Sequence, residues 1–148
     1  MFKKILYRAA WPFAASLVLT SFGTKHAAAE EAVTGLATHI RDIDTLEIDG
    51  IPIRLNGLDG PELSEPRGQE AKAWLIALLS DVELSCTLNG EKTYDRYVGT
   101  CYLSDGRDLS VVIIQNGYGR DCRRYSGGKY AEFETTLSRS LISHGYCR

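Results

Sequence analysis

The sequence predicts an α+β domain built on a small five-stranded Greek-key β-barrel with helices packed against it. Three observations carry this prediction. Alternating apolar and polar runs flank Asp49-Gly50, an apolar stripe at helical spacing follows from Gln69 to Leu79, and a second pair of strand-like runs precedes further helical signals.

Apolar and polar residues alternate from Gly35 to Asn56, which is the period of a half-buried strand. Arg41-Asp42-Ile43-Asp44 and Asp49-Gly50 interrupt the run, dividing it into strands expected near 34–40, 44–48 and 51–57. Asp-Gly between alternating runs is a hairpin signal because a type I′ turn needs positive φ at both central residues. Gly57 to Glu62 reads as a loop, punctuated too closely by Gly and Pro for regular structure. After Pro66, Ala71, Trp74, Leu75 and Leu78 fall on one face of a helix. Val82–Leu88 and Val98–Leu103 form the second strand pair, enclosing a polar loop with Asn89-Gly90 and Tyr94-Asp95-Arg96. Asp108 caps a short helix that Asn116-Gly117 stops after Gln115, and a last helix is expected from about 129 to 143. Three strands, a helix, two strands and then helices is the order of the five-stranded OB-fold.

Residues 1–29 have the three parts of a secretory signal peptide: basic Lys3, Lys4 and Arg8, an apolar stretch from Ala9 to Phe22, and small residues at Ala27-Ala28-Ala29. Cleavage is expected after Ala29, leaving residues 30–148 as one domain in the periplasm or secreted, without stable membrane association and as a monomer. Four of the 17 basic residues and none of the 19 acids lie in the leader, so the remainder carries 13 bases against 19 acids, net −6. An acidic chain is a poor passive DNA binder, because phosphate affinity rests mainly on counterion release by Lys and Arg. A nucleic-acid role therefore has to come from a local basic cluster or a bound cation. All four cysteines, Cys86, Cys101, Cys122 and Cys147, follow the leader, and an even count in an oxidising compartment predicts disulfides. Four cysteines allow three pairings. Strand placement favours Cys86–Cys101 across a hairpin, with Cys122–Cys147 tying the chain's end back to the barrel.

Three segments point to chemistry: Ile40-Arg41-Asp42-Ile43-Asp44-Thr45-Leu46, Ile53-Arg54-Leu55-Asn56-Gly57-Leu58-Asp59-Gly60-Pro61-Glu62, and Tyr94-Asp95-Arg96-Tyr97-Val98-Gly99. In this order they resemble the staphylococcal nuclease (thermonuclease-like) family, whose pattern has an acid followed by Thr, then Arg…Asp-x-Pro-Glu, then Arg shortly after Tyr. The resemblance spans residues 35 to 145. It implies a staphylococcal-nuclease-like OB-fold, a Ca²⁺-dependent endonuclease acting on DNA and RNA, and cleavage of the P–O5′ bond to leave 3′-phosphate ends.

The residues make chemical sense without the family. Asp44 and Asp59 are hard oxygen ligands suited to Ca²⁺, with a carbonyl such as that of Gly60 and waters completing the shell; the resemblance implies the same assignment and adds Asp42 as a nearby supporting acid. Arg54 and Arg96 are planar forks suited to bidentate phosphate contact. Glu62, stiffened by Pro61, is placed to order or deprotonate the attacking water. Two positions depart from the family: Ile43 stands where Gly is usual, so its turn must avoid positive φ or accept strain, and Gly60 stands where Thr is common. The first is expected to lower metal affinity and the second to loosen the loop. Tyr94, beside the Arg96 segment, is a candidate substrate contact; Arg120, Arg123, Arg124 and Lys129 interleave with Tyr118, Tyr125 and Tyr130 in a basic and aromatic cluster, in which Tyr125 matches a substrate-side tyrosine of the family the chain resembles. Tyr118 and Tyr130 are expected to fill gaps at the barrel's edge, and His39 and His144 receive no role. No base-reading element is evident, so little sequence preference and a preference for single strands are expected. The rival reading is a non-catalytic OB-fold module that binds oligonucleotides or a protein partner.

Overall fold

The computed structural model describes residues 31–148. The expected leader and its cleavage point lie outside the described residues. Among the described residues no helix is long and apolar enough to cross a membrane. Along the chain run β1 (Glu31–Ile40), β2 (Thr45–Ile48), β3 (Ile51–Leu55), β4 (Leu58–Asp59), α1 (Gly68–Leu78), β5 (Glu83–Thr93) and β6 (Arg96–Leu103). There follow α2 (Leu109–Gln115), β7 (Arg120–Asp121), α3 (Arg123–Ser126) and α4 (Thr136–Arg139).

Five of the strands close into a barrel in the order β1-β2-β3-β6-β5, with β5 pairing back onto β1. All neighbours are antiparallel except β3 and β6. Closure leaves the barrel without an unpaired edge. The predicted hairpin forms at Asp49-Gly50, whose φ angles of 51° and 77° are those a type I′ turn requires. Alternation then sends Leu46, Ile48, Ile53 and Leu55 inward, each at most 1 % exposed. Helix α1 seats Ala71 and Leu75 against this core, and α2, capped by Asp108 through the Ser110 amide, adds Val112, Ile113 and Ile114.

Cys86 and Cys101 face each other directly across β5 and β6 and are bonded inside the barrel. Cys122 is bonded to Cys147, which brings the end of the chain against the start of α3.

Three segments differ from the sequence expectation. The polar loop near 89–97 is mostly strand: β5 and β6 run on through it and turn at Tyr94-Asp95, where Tyr94 has φ 57°. Asn89-Gly90 lies in a register shift between Leu88 and Lys92, so this dipeptide marks an irregularity and not the hairpin end. Within the expected 57–62 loop, β4 pairs with β7. The single last helix is instead broken into α3, a 3₁₀ turn at Ala131–Phe133, and α4. Gly127 and Gly128 at φ 68° and 89° end the first piece. Thr135, extended, starts the last through a reciprocal capping box with Ser138. The apolar spacing there serves to dock separate short pieces, as with the buried Tyr130 and Leu141.

Candidate functional site

Strand register gathers the three motif segments. Thr45 on β2 lies opposite Arg54 on β3, and Arg54 in turn lies beside Val98 on β6. The acids before β2, the arginine of β3 and the arginine opening β6 therefore meet at one cleft of about 640 Å³. Asp42, Asp44, Arg54, Glu62 and Arg96 line it, with Tyr94 and Tyr125 at its wall.

Arg54 is held tightly. Its Nη1 donates to the carbonyls of Leu55 at 3.1 Å and Asp44 at 3.5 Å, and its Nη2 donates to the Leu58 carbonyl at 2.9 Å. The same Nη2 pairs with Asp44 Oδ2 at 2.9 Å. A guanidinium has five N–H groups. Both terminal nitrogens are thus engaged, and bidentate contact to a phosphate requires Arg54 to release Asp44 or a carbonyl. Arg96 is more open: Nη1 donates to Thr45 Oγ1 at 3.0 Å and Nε to the Thr93 carbonyl at 3.5 Å, while Nη2 has no protein acceptor among the described residues. Thr45 Oγ1 also donates to Asp44 Oδ1 at 3.0 Å, so one hydroxyl joins a carboxylate to an arginine. Thr45 entered the sequence reading only as part of the motif; the structure gives its hydroxyl a bridging place.

Asp44 is buried, and that burial raises its carboxyl above the ordinary range; Arg54 opposes the shift and Asp42 adds to it. Asp42 Oδ1 also accepts from the Asp44 amide at 3.0 Å, fixing the acidic turn. Glu62 is exposed at the cleft, and its amide is tied to Glu65 Oε2 at 2.8 Å.

Asp59 and Gly60 are not on the cleft wall. Asp59 is 1 % exposed, and its carboxylate is taken up by the chain's end. Oδ1 meets His144 Nδ1 at 2.6 Å and accepts from the Tyr146 hydroxyl at 3.4 Å; Oδ2 accepts from the His144 amide at 3.1 Å. His144 Nε2 reaches Glu65 Oε1 at 3.2 Å. Burial alone would lower the His144 imidazole, but Asp59 and Glu65 outweigh it and hold it above its ordinary value. The Tyr146 phenol is pushed up to about 12 by burial and by the charge of Asp59, with Arg54 opposing and Asp44 and Glu62 adding. His144, Tyr146 and Glu65 are site neighbours that sequence reading missed. Cys147, bonded to Cys122, is the one sequence signal for His144 and Tyr146, whereas Glu65 comes from the loop after β4.

The two departures from the family pattern are complementary. A Cβ at position 60 would lie 2.1 Å from Ile43 Cγ2, so the Ile43 side chain fills the space that Gly60 leaves. Ile43 is 1 % exposed and is not among the residues at positive φ, so its turn is unstrained.

The basic and aromatic cluster divides. Arg120 donates to the Leu141 carbonyl at 3.0 Å, and Lys129 pairs with Asp108 at 2.9 Å. Tyr130 is buried with its hydroxyl on Asp108, and Tyr118 packs tilted against Trp74, ring centres 4.8 Å apart, while donating to Glu70. Tyr125, 53 % exposed, is the member that reaches the cleft. His39 lies on β1 in a separate groove.

Barrel order and cleft together define an OB-fold domain of nuclease type. The chain belongs to the staphylococcal nuclease family: the family model described as Staphylococcal nuclease homologue matches residues 52–140. Among curated relatives, it is 36 % identical over 124 residues to the succinoglycan biosynthesis protein ExoI of Rhizobium meliloti (strain 1021), covering 76 % of this chain and 64 % of that one. It is 38 % identical over 65 residues to an uncharacterized 38.1 kDa protein of Capnoides sempervirens, covering 44 % of this chain and 19 % of that one. The chain thus spans less than two thirds of the length of either relative.

Proposed function

We propose that this chain is an exported, Ca²⁺-dependent phosphodiesterase that hydrolyses DNA and RNA with little sequence preference. The observation that carries the reading is the meeting of Arg54, Arg96, Asp44 and Glu62 on one cleft from three separate stretches of chain. In this reading residues 1–29 are a leader, and residues 30–148 act as a monomer in the periplasm or outside the cell. Single strands are the preferred substrate.

The donor set fits a hard divalent cation. Asp44, Asp59 and Glu62 offer only oxygen, Cys122 at the cleft is held in a disulfide, and among the described residues no cysteine is free to offer thiolate. Among the described residues no three acidic, His or Cys side chains already surround one point. Asp44 and, once its carboxylate is released from His144 and Tyr146, Asp59 are the groups that would hold Ca²⁺, with the Gly60 carbonyl and water completing the shell. The ion supplies polarisation of a phosphate oxygen when bound. Arg96 offers Nη2 to a non-bridging oxygen, where charge builds in the transition state. Arg54, fixed behind Asp44, supplies a positive charge that cannot be lost at neutral pH. Glu62 aligns the attacking water and accepts its proton on a carboxylate oxygen.

A second reading, a non-catalytic module, draws support from the way His144 and Tyr146 occupy the Asp59 carboxylate, and from the biosynthetic name of the Rhizobium relative. Purified protein incubated with plasmid DNA separates the two. The nuclease reading expects degradation with Ca²⁺, arrest by EGTA, and a loss of about 10²–10³ in rate for Arg96→Lys, which keeps the charge but not the fork. Intact plasmid at every Ca²⁺ concentration would leave the binding module standing.

A further inference from the structure

We propose that Tyr146 is a third aromatic platform of the cleft, stacking a base of a single-stranded oligonucleotide, and that the Cys122–Cys147 bond holds it in place. This deepens the nuclease reading and rests on it. Tyr146 lies two residues from the end of the chain, yet it lines the same cleft as Glu62 and Arg96 and is 42 % exposed. An exposed aromatic ring beside bound cationic groups is what a sequence-tolerant single-strand site uses, because every base presents a π-face.

The three tyrosines of the cleft are not equally ordered. Tyr94 sits on the β5–β6 turn, 94 % exposed, with the Arg96 guanidinium 5.9 Å from its ring centre. Tyr125 projects from α3 with Arg124 at 5.9 Å. Tyr146 is braced through its ring, which stacks on His144 at 5.3 Å with 6° between planes; its hydroxyl makes only a long contact of 3.4 Å to Asp59. His144 is itself clamped between Asp59 and Glu65. A platform fixed before the ligand arrives loses little entropy on binding.

The disulfide sets the geometry. Cys147 is the next residue after Tyr146, and Cys122, which also lines the cleft, lies three residues before Tyr125. One covalent bond therefore ties together the two segments that carry Tyr125 and Tyr146 to the cleft. The four-residue α4 and the 3₁₀ turn at Gly145–Cys147 give the segment little backbone structure of its own to do so.

The test is fluorescence anisotropy of a labelled, phosphorothioate-linked oligothymidylate of eight nucleotides in Ca²⁺. Tyr146→Ala is expected to weaken binding roughly tenfold, the loss typical of one stacked base, and Tyr146→Phe to bind as the parent does. Cys122→Ser/Cys147→Ser is expected to reproduce the Tyr146→Ala loss. Parent-like binding by Tyr146→Ala overturns the platform while leaving the nuclease reading intact. A Tyr146→Phe loss as large as that of Tyr146→Ala also overturns it, since the hydroxyl on Asp59 would then be what matters. No binding by the parent protein overturns both.

Discussion

At the scale of single residues the governing contact is between Asp59 and His144. A buried carboxylate without partners is costly, and here the chain's own end supplies them: two hydrogen bonds from His144 and one from Tyr146. A cation seeking Asp59 must compete with that imidazole. His144→Ala is expected to tighten Ca²⁺ binding about tenfold, the low end of the roughly 1.5–3 kcal/mol that a hydrogen bond to a charged group is worth. Asp59→Ala is expected to weaken Ca²⁺ in the same isothermal titration. Weaker binding in His144→Ala would mean that the histidine orients the carboxylate for the ion, as outer groups do at many metal sites, and does not compete with it.

At the scale of elements the acidic turn before β2 and the loop after β4 are packed as one unit. Ile43 and Gly60 each depart from the family pattern, and each makes room for the other. Overpacking a filled site costs about 1–3 kcal/mol. Gly60→Ala is therefore expected to lower stability in urea by that amount in the parent chain, and by less when introduced into Ile43→Ala. A double-mutant cycle with no coupling would show that the two loops do not share this volume. The same contact explains why glycine at 60 need not loosen the loop: the missing side chain is replaced by the neighbour's.

For the whole molecule, the two disulfides divide the work. Cys86–Cys101 closes a loop of 15 residues inside the barrel, worth about 3 kcal/mol in the chain-entropy model. Cys122–Cys147 closes 25 residues and is worth about 3.5 kcal/mol by the same reckoning. Reduction of both bonds is expected to lower stability in a denaturant titration by a sum of that order. Equal stability before and after reduction would assign the fold's stability to the barrel core alone.

The sequence by itself determined the barrel. Alternation, the Asp49-Gly50 turn and the apolar face of α1 are local patterns whose period or turn chemistry names the element. The motif residues were singled out by the resemblance of three segments to a known family, and the structure brings Asp44, Arg54, Glu62 and Arg96 to one cleft. The broken last helix was not legible: its apolar spacing imitates one helix, and only docking against Ile114 and the Cys122 bond shows that Tyr130, Ser138 and Cys147 are anchored separately. Tertiary structure alone decided that Asp59 faces His144 and not the cleft, that both terminal nitrogens of Arg54 are taken by carbonyls and Asp44, and that Tyr146 lines the cleft. Each of these contacts crosses from one distant segment to another or depends on how the loops close, and sequence periodicity carries no information about which way such a side chain turns.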